Sequence, residues 1–436
     1  MKRDRRLLNT LLGLLLIFVA VPANAVLKIE ITQGTEGALP IAIVPFGWEG
    51  PGDPPEDIAG IVAADLSRSG AFAPIPFDRL VARPESGAAV NFQNWKVTGV
   101  ESLVIGHMKL TGPGTYVIQF QLFDVYKEQQ LLGFSFPVKS ESLRVVAHEI
   151  SDLIYERLIG IRGAFNTQVA YITARKTSNG GKKYVLELSD ADGYAPAEIL
   201  SSTRPLMSPA WSPDTLRIAY VSFENKEVAA IYTQVIGTGV RRKISSVKGI
   251  NGSPAWSPDG KWLALTLSHK GNPDIYVMEL ASGRTRQVTR SRAIDTEPAW
   301  SADGQSIIFT SDRSGSPQIY EIAMTGGAAK RLTFEGRYNA SPAISPDGKT
   351  LAMVHFNQGK YQIAVLDRPS GVLRVLTDGQ LDESPSFAPN GSMILYATQY
   401  RGRGVLGAVS TDGRVQQRFT FAEGDVREPS WSPYIQ

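Results

Sequence analysis

Short apolar runs recur in a fixed order along the C-terminal two thirds of the chain. Runs such as residues 216–221 (LRIAYV) and 275–280 (IYVMEL) are rich in β-branched and aromatic side chains and are separated by polar, glycine-containing turns. Such runs are typical of β-strands. A marker, SPAWSPDG in its full form, recurs with them every 43 to 45 residues, and its first prolines are Pro209, Pro254, Pro298, Pro342, Pro385 and Pro429. Four short strands in a period of about 44 residues predict the blades of a β-propeller.

The first and last repeats are incomplete and complement each other. Residues 168–173 (QVAYIT) and 183–188 (KYVLEL) have no marker before them, whereas the last marker, at residues 428–432 (EPSWS), has no strands after it. We therefore predict an all-β, six-bladed propeller over residues 163–436, in which the C-terminal strand completes the first blade. Closure of the ring removes exposed blade edges. A solenoid, the alternative architecture, would need polar capping repeats at its ends.

Residues 26–162 lack the repeat and predict a smaller α/β domain. The predicted elements are strands at residues 26–31, 41–46, 116–125 and 131–138, a helix capped by Asp53, and a helix over residues 142–158. The first strand alternates, with Leu27, Ile29 and Ile31 on one face. Gly160 is placed to end the second helix.

Residues 1–25 predict a cleavable signal peptide. Basic residues precede an apolar run at residues 11–21, and Ala23-Asn24-Ala25 has the small-x-small form of a cleavage site, so we expect cleavage after Ala25. An uncleaved membrane anchor is the alternative. The chain has a net charge of +3, and residues 1–25 carry four basic residues and one acidic one, so the remainder is neutral. Nucleic-acid binding is therefore disfavoured, and the absence of cysteine excludes disulfides.

The marker itself favours structure over chemistry. Proline, aspartate and glycine in SPDG are typical of a tight turn, and Asn390 replaces the aspartate in the fifth copy, which a turn tolerates and a carboxylate catalyst does not. The large side chain four residues into the marker predicts packing between blades, since its identity varies among tryptophan, isoleucine and phenylalanine. These side chains are Trp211, Trp256, Trp300, Ile344, Phe387 and Trp431.

No catalytic or metal-binding pattern is visible along the chain. The histidines His107, His148, His269 and His355 have no short-range pairing, so neither a zinc site nor a catalytic triad is indicated. Residues 190–193 (DADG) resemble a fragment of a calcium loop, but Leu188 stands at the first ligand position, and we interpret the fragment as a β-turn. We predict no catalytic residues and no metal ligands.

Polar residues around the marker prolines indicate a binding surface. If the SPAW strand is innermost, the residues just before each proline lie at the channel mouth opposite the SPDG turns. Hydroxyls and carboxylates ringed around a mouth suit a polar protein surface or a bound cation. A rim that is merely solvated is the alternative.

Taken together, these motifs resemble one family, TolB, the periplasmic component of the Tol-Pal system of Gram-negative bacteria. The resemblance covers the whole chain. Its most specific parts are PIAIVPFGW at residues 40–48, LMSPAWSPD at 206–214, DTEPAW at 295–300, LDESPSFAPNG at 381–391 and EPSWSPY at 428–434.

The resemblance implies a periplasmic, non-catalytic and monomeric adapter that supports outer-membrane integrity and envelope constriction during cell division. It implies binding of the inner-membrane-anchored protein TolA by the N-terminal strand, at Val26, Leu27, Lys28, Ile29, Glu30 and Ile31. It implies binding of the lipoprotein Pal at the propeller mouth, at Met207, Ser208, Asn251, Ser253, Thr296, Glu297, Ser341, Glu383, Ser384 and Glu428. Other outer-membrane proteins and bacteriocins are further expected partners, the latter with Ca²⁺ in the channel. Ile250 departs from the polar residue expected beside this rim.

A rival hypothesis is an exported hydrolase or lactonase with a metal in the channel. It would need carboxylates and histidines facing inward from several blades, and the rim offers Glu297, Glu383 and Glu428 without a nearby histidine. A regulatory propeller of a peptidase is a third possibility, but its catalytic domain is missing here.

Overall fold

The computed structural model describes residues 28–33, 37–225, 228–420 and 424–435. The N-terminal elements include three helices, α1 (Ile58–Arg68), α2 (Phe92–Lys96) and α3 (Leu143–Ile159). The strands are β1 (Lys28–Gln33), β2 (Leu39–Ile43), β3 (Gly47–Glu49), β4 (Phe72–Pro74), β5 (Ser102–Gly112), β6 (Thr115–Asp124) and β7 (Gln129–Lys139). None of the described helices is long and apolar enough to span a membrane.

An α/β region forms from β2 to α3. Its sheet has the order β4-β2-β5-β6-β7, with β3 beside β5, and β2 runs parallel to β4 and β5. Helices α1 and α3 pack on this sheet through residues such as Val62, Leu66 and Ile150. Helix α3 ends as predicted, because Gly160 adopts the left-handed conformation (φ 89°). The prediction for the first cap was wrong: Asp57, rather than Asp53, caps α1 by accepting a hydrogen bond from the Gly60 N–H.

The remaining strands form six blades, and the predicted six-bladed propeller is confirmed. Four blades each consist of four strands that are consecutive in the chain. The first of these contains β11 (Leu206–Trp211), β12 (Arg217–Ser222), β13 (Ala230–Val235) and β14 (Arg241–Ser245), and the second contains β15 (Asn251–Trp256), β16 (Trp262–Leu267), β17 (Asp274–Glu279) and β18 (Thr285–Gln287). The third contains β19 (Asp295–Trp300), β20 (Ser306–Ser311), β21 (Gln318–Ala323) and β22 (Lys330–Arg331), and the fourth contains β23 (Asn339–Ile344), β24 (Thr350–Asn357), β25 (Lys360–Asp367) and β26 (Leu373–Val375).

The other two blades each recruit a strand from far along the chain. One contains β27 (Glu383–Phe387), β28 (Met393–Tyr400), β29 (Arg403–Ser410) and β30 (Gln416–Thr420), and β1 adds to it as a fifth strand. The other contains β8 (Gln168–Lys176), β9 (Lys182–Asp190) and β10 (Ala197–Ser202), and its innermost strand is β31 (Asp425–Trp431). The ring therefore closes through antiparallel pairing of the last strand with the first strand of the propeller.

Indole side chains tie neighbouring blades together. The Nε1 atoms of Trp211, Trp256 and Trp300 each donate a hydrogen bond of 2.9 to 3.1 Å to a carbonyl in the central strand of the preceding blade, at Ser430, Ala210 and Ala255 respectively. All three tryptophans are buried, which agrees with the predicted packing role. Isoleucine and phenylalanine at this place, Ile344 and Phe387, also lie among apolar side chains of neighbouring strands.

We expect Val426→Ala to test the closure strand. Val426 is fully buried in the cluster between the closing blades. Removing two methyl groups there should lower the free energy of unfolding by about 2 kcal/mol, through lost burial and the cavity left behind. Urea denaturation of the purified protein measures it. Val240→Ala is the matched control, because Val240 is 64% exposed, and its effect should stay within about 0.5 kcal/mol. Equal effects at the two positions would contradict the assigned role of β31.

Candidate functional site: the propeller channel and the N-terminal strand

The six central strands enclose a channel with a volume of about 1040 Å³. Of the ten residues predicted at the mouth, eight line this channel and two do not. The eight are Met207, Ser208, Ser253, Glu297, Ser341, Glu383, Ser384 and Glu428. The two outside it are Asn251 and Thr296.

The residue before each marker proline has an unusual backbone conformation. All six have positive φ, between 47° and 56°, although none is glycine; they are Ser208, Ser253, Glu297, Ser341, Ser384 and Glu428. Each lies at a shift of register between the central strand and its neighbour, which marks a β-bulge. Their predicted place at the mouth therefore needs correction: they lie within the central strands, and the loops before those strands form the mouth.

The bulge turns backbone N–H groups toward carboxylates of the neighbouring blade. The Ser208 N–H donates to Glu428 Oε2 at 2.5 Å. Ser341 donates twice to Glu297, from its N–H at 2.9 Å and from its hydroxyl at 2.8 Å. Left-handed conformations cost about 1–3 kcal/mol each in non-glycine residues and persist where the surrounding structure enforces them. Strain repeated in all six central strands marks this channel as a candidate site.

The channel lining carries acidic groups and, among the described residues, no Lys, Arg or His. Burial raises the pKa of the Glu428 carboxyl, the Ser208 N–H opposes that rise, and the nearby Glu383 adds to it. Burial, with a contribution from Glu297, raises the pKa of Tyr338 to about 12. These features suit a partner that presents N–H or other hydrogen-bond donors.

Asn251 lies off the channel because it anchors a loop. Its buried carboxamide accepts hydrogen bonds from the Ser245 hydroxyl and the Val247 N–H, and it donates to the carbonyls of Val247 and Gly249. The equivalent residues of three other blades are also polar, buried and hydrogen-bonded, namely Asp295, Asn339 and Asp382. This position of the repeat thus holds the loop that forms the mouth.

Thr296 lies on β19 beside Glu297 and opposite Thr310 of β20. The side chain of Glu297, rather than that of Thr296, reaches the channel, where it also accepts a hydrogen bond from the Thr310 hydroxyl at 2.7 Å.

The sequence prediction missed a set of exposed apolar side chains around the same mouth. Ile250 and Ile294 lie in loops that enter central strands, and Phe334, 74% exposed, lies in another such loop. Phe223 belongs to the same end of the ring, since its N–H donates to the carbonyl of Pro205, which precedes β11. The signal in the sequence was a large apolar residue within a predicted loop, where polar residues are usual. Of these four residues, only Ile250 was singled out from the sequence.

The N-terminal strand adds to the outer edge of a propeller blade. Strand β1 pairs antiparallel with β30, with Ile29 opposite Phe419 and Glu30 opposite Arg418. Ile29 packs against the apolar cluster of that blade, whereas Ile31 is 40% exposed. The segment was predicted as a strand of the α/β domain, but in the structure it pairs with the propeller and not with the sheet of that domain. Val26 and Leu27 lie outside the described residues, and Lys28 is described by its backbone alone.

The channel glutamates do not form a cluster of three potential metal ligands within the described part of the chain. Glu297 and Glu428 instead belong to separate hydrogen-bonded groups on different blades. Calcium in the channel stays a prediction.

Comparison with known proteins identifies both regions of the chain. A family model described as the TolB amino-terminal domain matches residues 27–131, and one described as the TolB beta propeller domain matches residues 155–435. The Tol-Pal system protein TolB of Thioalkalivibrio sulfidiphilus is 57% identical over 97% of this chain and 98% of its own length. That of Nitrosococcus oceani is 55% identical over 97% of each chain.

A solved structure agrees with these relatives. The crystal structure of TolB from Acinetobacter baumannii has a TM-score of 0.87 and 42% sequence identity, covering 93% of this chain and all of the other. The chain therefore belongs to the TolB family of Tol-Pal system proteins, a family of non-catalytic proteins of the cell envelope.

Proposed function

We propose that this protein is a periplasmic adapter of the Tol-Pal system that binds TolA through its N-terminal strand and Pal through the propeller mouth. Linking these partners would support outer-membrane integrity and envelope constriction during cell division. The observation that carries the proposal is the pairing of β1 with β30, because it is an intramolecular form of strand addition, a recurring mode of peptide recognition.

The attachment of β1 to the propeller is suited to exchange. The strand lies at the edge of its sheet and is held by main-chain pairing, by Ile29 in an apolar cluster and by the Glu30–Arg418 ion pair at 3.7 Å. Exposed ion pairs contribute about 0–1 kcal/mol, and one short strand adds limited burial. A partner sheet edge offering the same main-chain bonds could replace β30. TolA would then bind a strand that has left the blade.

The mouth combines the two features of a protein-binding surface. Exposed apolar side chains at Met207, Ile250, Ile294 and Phe334 surround a polar, acidic channel. Aromatic and large apolar side chains in such positions carry much of the binding energy of protein interfaces. We propose that Pal covers this mouth and contacts both groups.

A disulfide between β1 and β30 tests the exchange. The register places Glu30 opposite Arg418, and the chain has no native cysteine, so a Glu30→Cys/Arg418→Cys variant should form a single bridge. We expect the oxidised variant to lose TolA binding at least tenfold, because the strand cannot leave the blade, and to retain Pal binding. Titration with purified TolA and Pal measures both affinities.

Reduction of the bridge should restore TolA binding, and each single cysteine variant should bind TolA whether or not oxidant is present. Unchanged TolA binding by the bridged protein would show that TolA does not need release of β1 and would reject the exchange. Loss of Pal and TolA binding together would reject separate sites.

Phe334→Ala tests the mouth. Removing an exposed aromatic side chain from a central contact should weaken Pal binding about tenfold, or about 1.4 kcal/mol, with no change in thermal stability, because the ring is 74% exposed. Val372→Ala is the control, since Val372 is exposed in the turn between β25 and β26, at the opposite end of the blade. Equal Pal affinity of the wild type and Phe334→Ala would place the contact elsewhere.

Periplasmic location follows from the predicted signal peptide. We expect mass spectrometry of the protein recovered from the periplasm to show a mature chain that begins at Val26. A chain that retains residues 1–25 would instead indicate an anchor.

A further inference from the structure

A buried charge cluster joins α3 to the turn that follows β9. His148 on α3 is only 3% exposed. Its Nδ1 lies 2.7 Å from Asp65 Oδ2, which also accepts a hydrogen bond from the Ser151 hydroxyl at 2.8 Å. Asp65 is fully buried and pairs with the Arg68 guanidinium as well. A buried carboxylate at this distance makes Nδ1 the donor, and once the ring has lost its second proton, Nε2 offers a free lone pair.

The Nε2 atom of His148 has no hydrogen-bond partner. It points toward two carboxylates of the propeller: Asp192 Oδ2 lies 4.0 Å away, and one ligand atom each from His148, Asp190 and Asp192 lies within 4.8 Å of the others. We propose that these three residues bind a divalent transition-metal cation of the zinc class, at the junction of the N-terminal region and the first blade.

The ligand chemistry favours zinc over calcium. One imidazole nitrogen and two carboxylates suit Zn²⁺, which takes four ligands, and water would supply the fourth. Calcium prefers six to eight oxygen ligands. Histidines that bind metals commonly donate their other ring N–H to a carboxylate, as His148 does to Asp65. Tetrahedral binding would need the 4.0 Å separation to shorten to about 3.4 Å, a small adjustment for a turn.

Arg144 is the group that competes with a cation. Its Nη2 donates to Asp192 Oδ2 at 2.6 Å, but its guanidinium also stacks on the Tyr194 ring, 3.8 Å from the centroid, and lies 3.9 Å from Glu56. Tyr194 and Glu56 can still bind the Arg144 guanidinium when the metal coordinates the Asp192 carboxylate. Around the proposed site, the carboxylates of Glu56, Asp65, Asp190 and Asp192 outnumber the guanidinium groups of Arg68 and Arg144. A divalent cation would reduce this imbalance.

The proposed ligands lie 42 and 44 residues from His148 along the chain, so bound metal would clamp two separately folded regions. The DADG fragment that contains Asp190 and Asp192 forms the predicted turn, since the Gly193 N–H donates to the Asp190 carbonyl. The turn also presents ligands, which its spacing alone did not indicate.

Binding of Zn²⁺ alone to untagged, chelator-treated protein tests the site. We expect one equivalent of zinc by calorimetry and by elemental analysis after desalting, and a higher thermal midpoint with zinc than without it. Substitution of cobalt should give the visible absorption of a tetrahedral ion. Asp190→Asn should lower zinc affinity at least tenfold while leaving the Asp65–His148 and Arg144–Asp192 contacts intact. His148→Gln should also lower zinc affinity at least tenfold, because it removes the imidazole ligand.

His269→Gln is the matched control, because His269 lies in a loop of another blade, beside Tyr276, and this variant should bind zinc like the wild type. Circular dichroism establishes that each variant is folded. Failure of the wild type to bind zinc would overturn the proposal. It would indicate that Nε2 of His148 carries a proton that faces the Asp192 carboxylate. Binding that is equal in all variants, or lost only in His269→Gln, would assign the zinc to other surface groups.

Discussion

Antiparallel pairing of β31 with β8 is the constraint on which the rest of the structure depends. The first blade along the chain has no innermost strand of its own, and β31 supplies it. With that strand in place, each central strand lies between the central strands of two neighbouring blades. The indole hydrogen bonds between blades, including Trp211 to the Ser430 carbonyl, follow from that arrangement. Without closure, the channel would open and two blade faces would be exposed.

The channel derives its character from strained backbone inside this ring. A residue before proline is kept from the right-handed helical region, and here six of them adopt the left-handed one. The resulting bulges leave the ladder locally unpaired, and Glu297 and Glu428 accept hydrogen bonds from the freed groups of the next blade. The same residues thus make structural hydrogen bonds, so substituting them would alter folding as well as any binding in the channel. The exposed Phe334 and Ile250 are cleaner probes.

Two of the contacts between the N-terminal region and the ring differ in kind. Strand β1 is held at an outer edge, largely by main-chain bonds, and is suited to exchange. The cluster around His148 and Asp192 is buried where α3 meets the first blade, whereas β1 lies on the last blade. This buried cluster is suited to holding α3 and the first blade in one position. Under the proposed adapter function, β1 would be the segment that is released and this cluster would keep the two regions joined.

The amino-acid sequence alone determined the architecture, because a 44-residue period and a displaced final marker permit few folds. It also located the channel-lining residues, since the marker prolines fix the position of the central strands. It could not tell that Asn251 faces inward to its loop, that Asp57 caps α1 or that β1 joins the propeller, because these depend on which neighbours occupy the space around each residue. The meeting of His148 with Asp190 and Asp192 was likewise decided only by tertiary structure: their separation along the chain carries no pattern, and packing of α3 on the first blade brings them together.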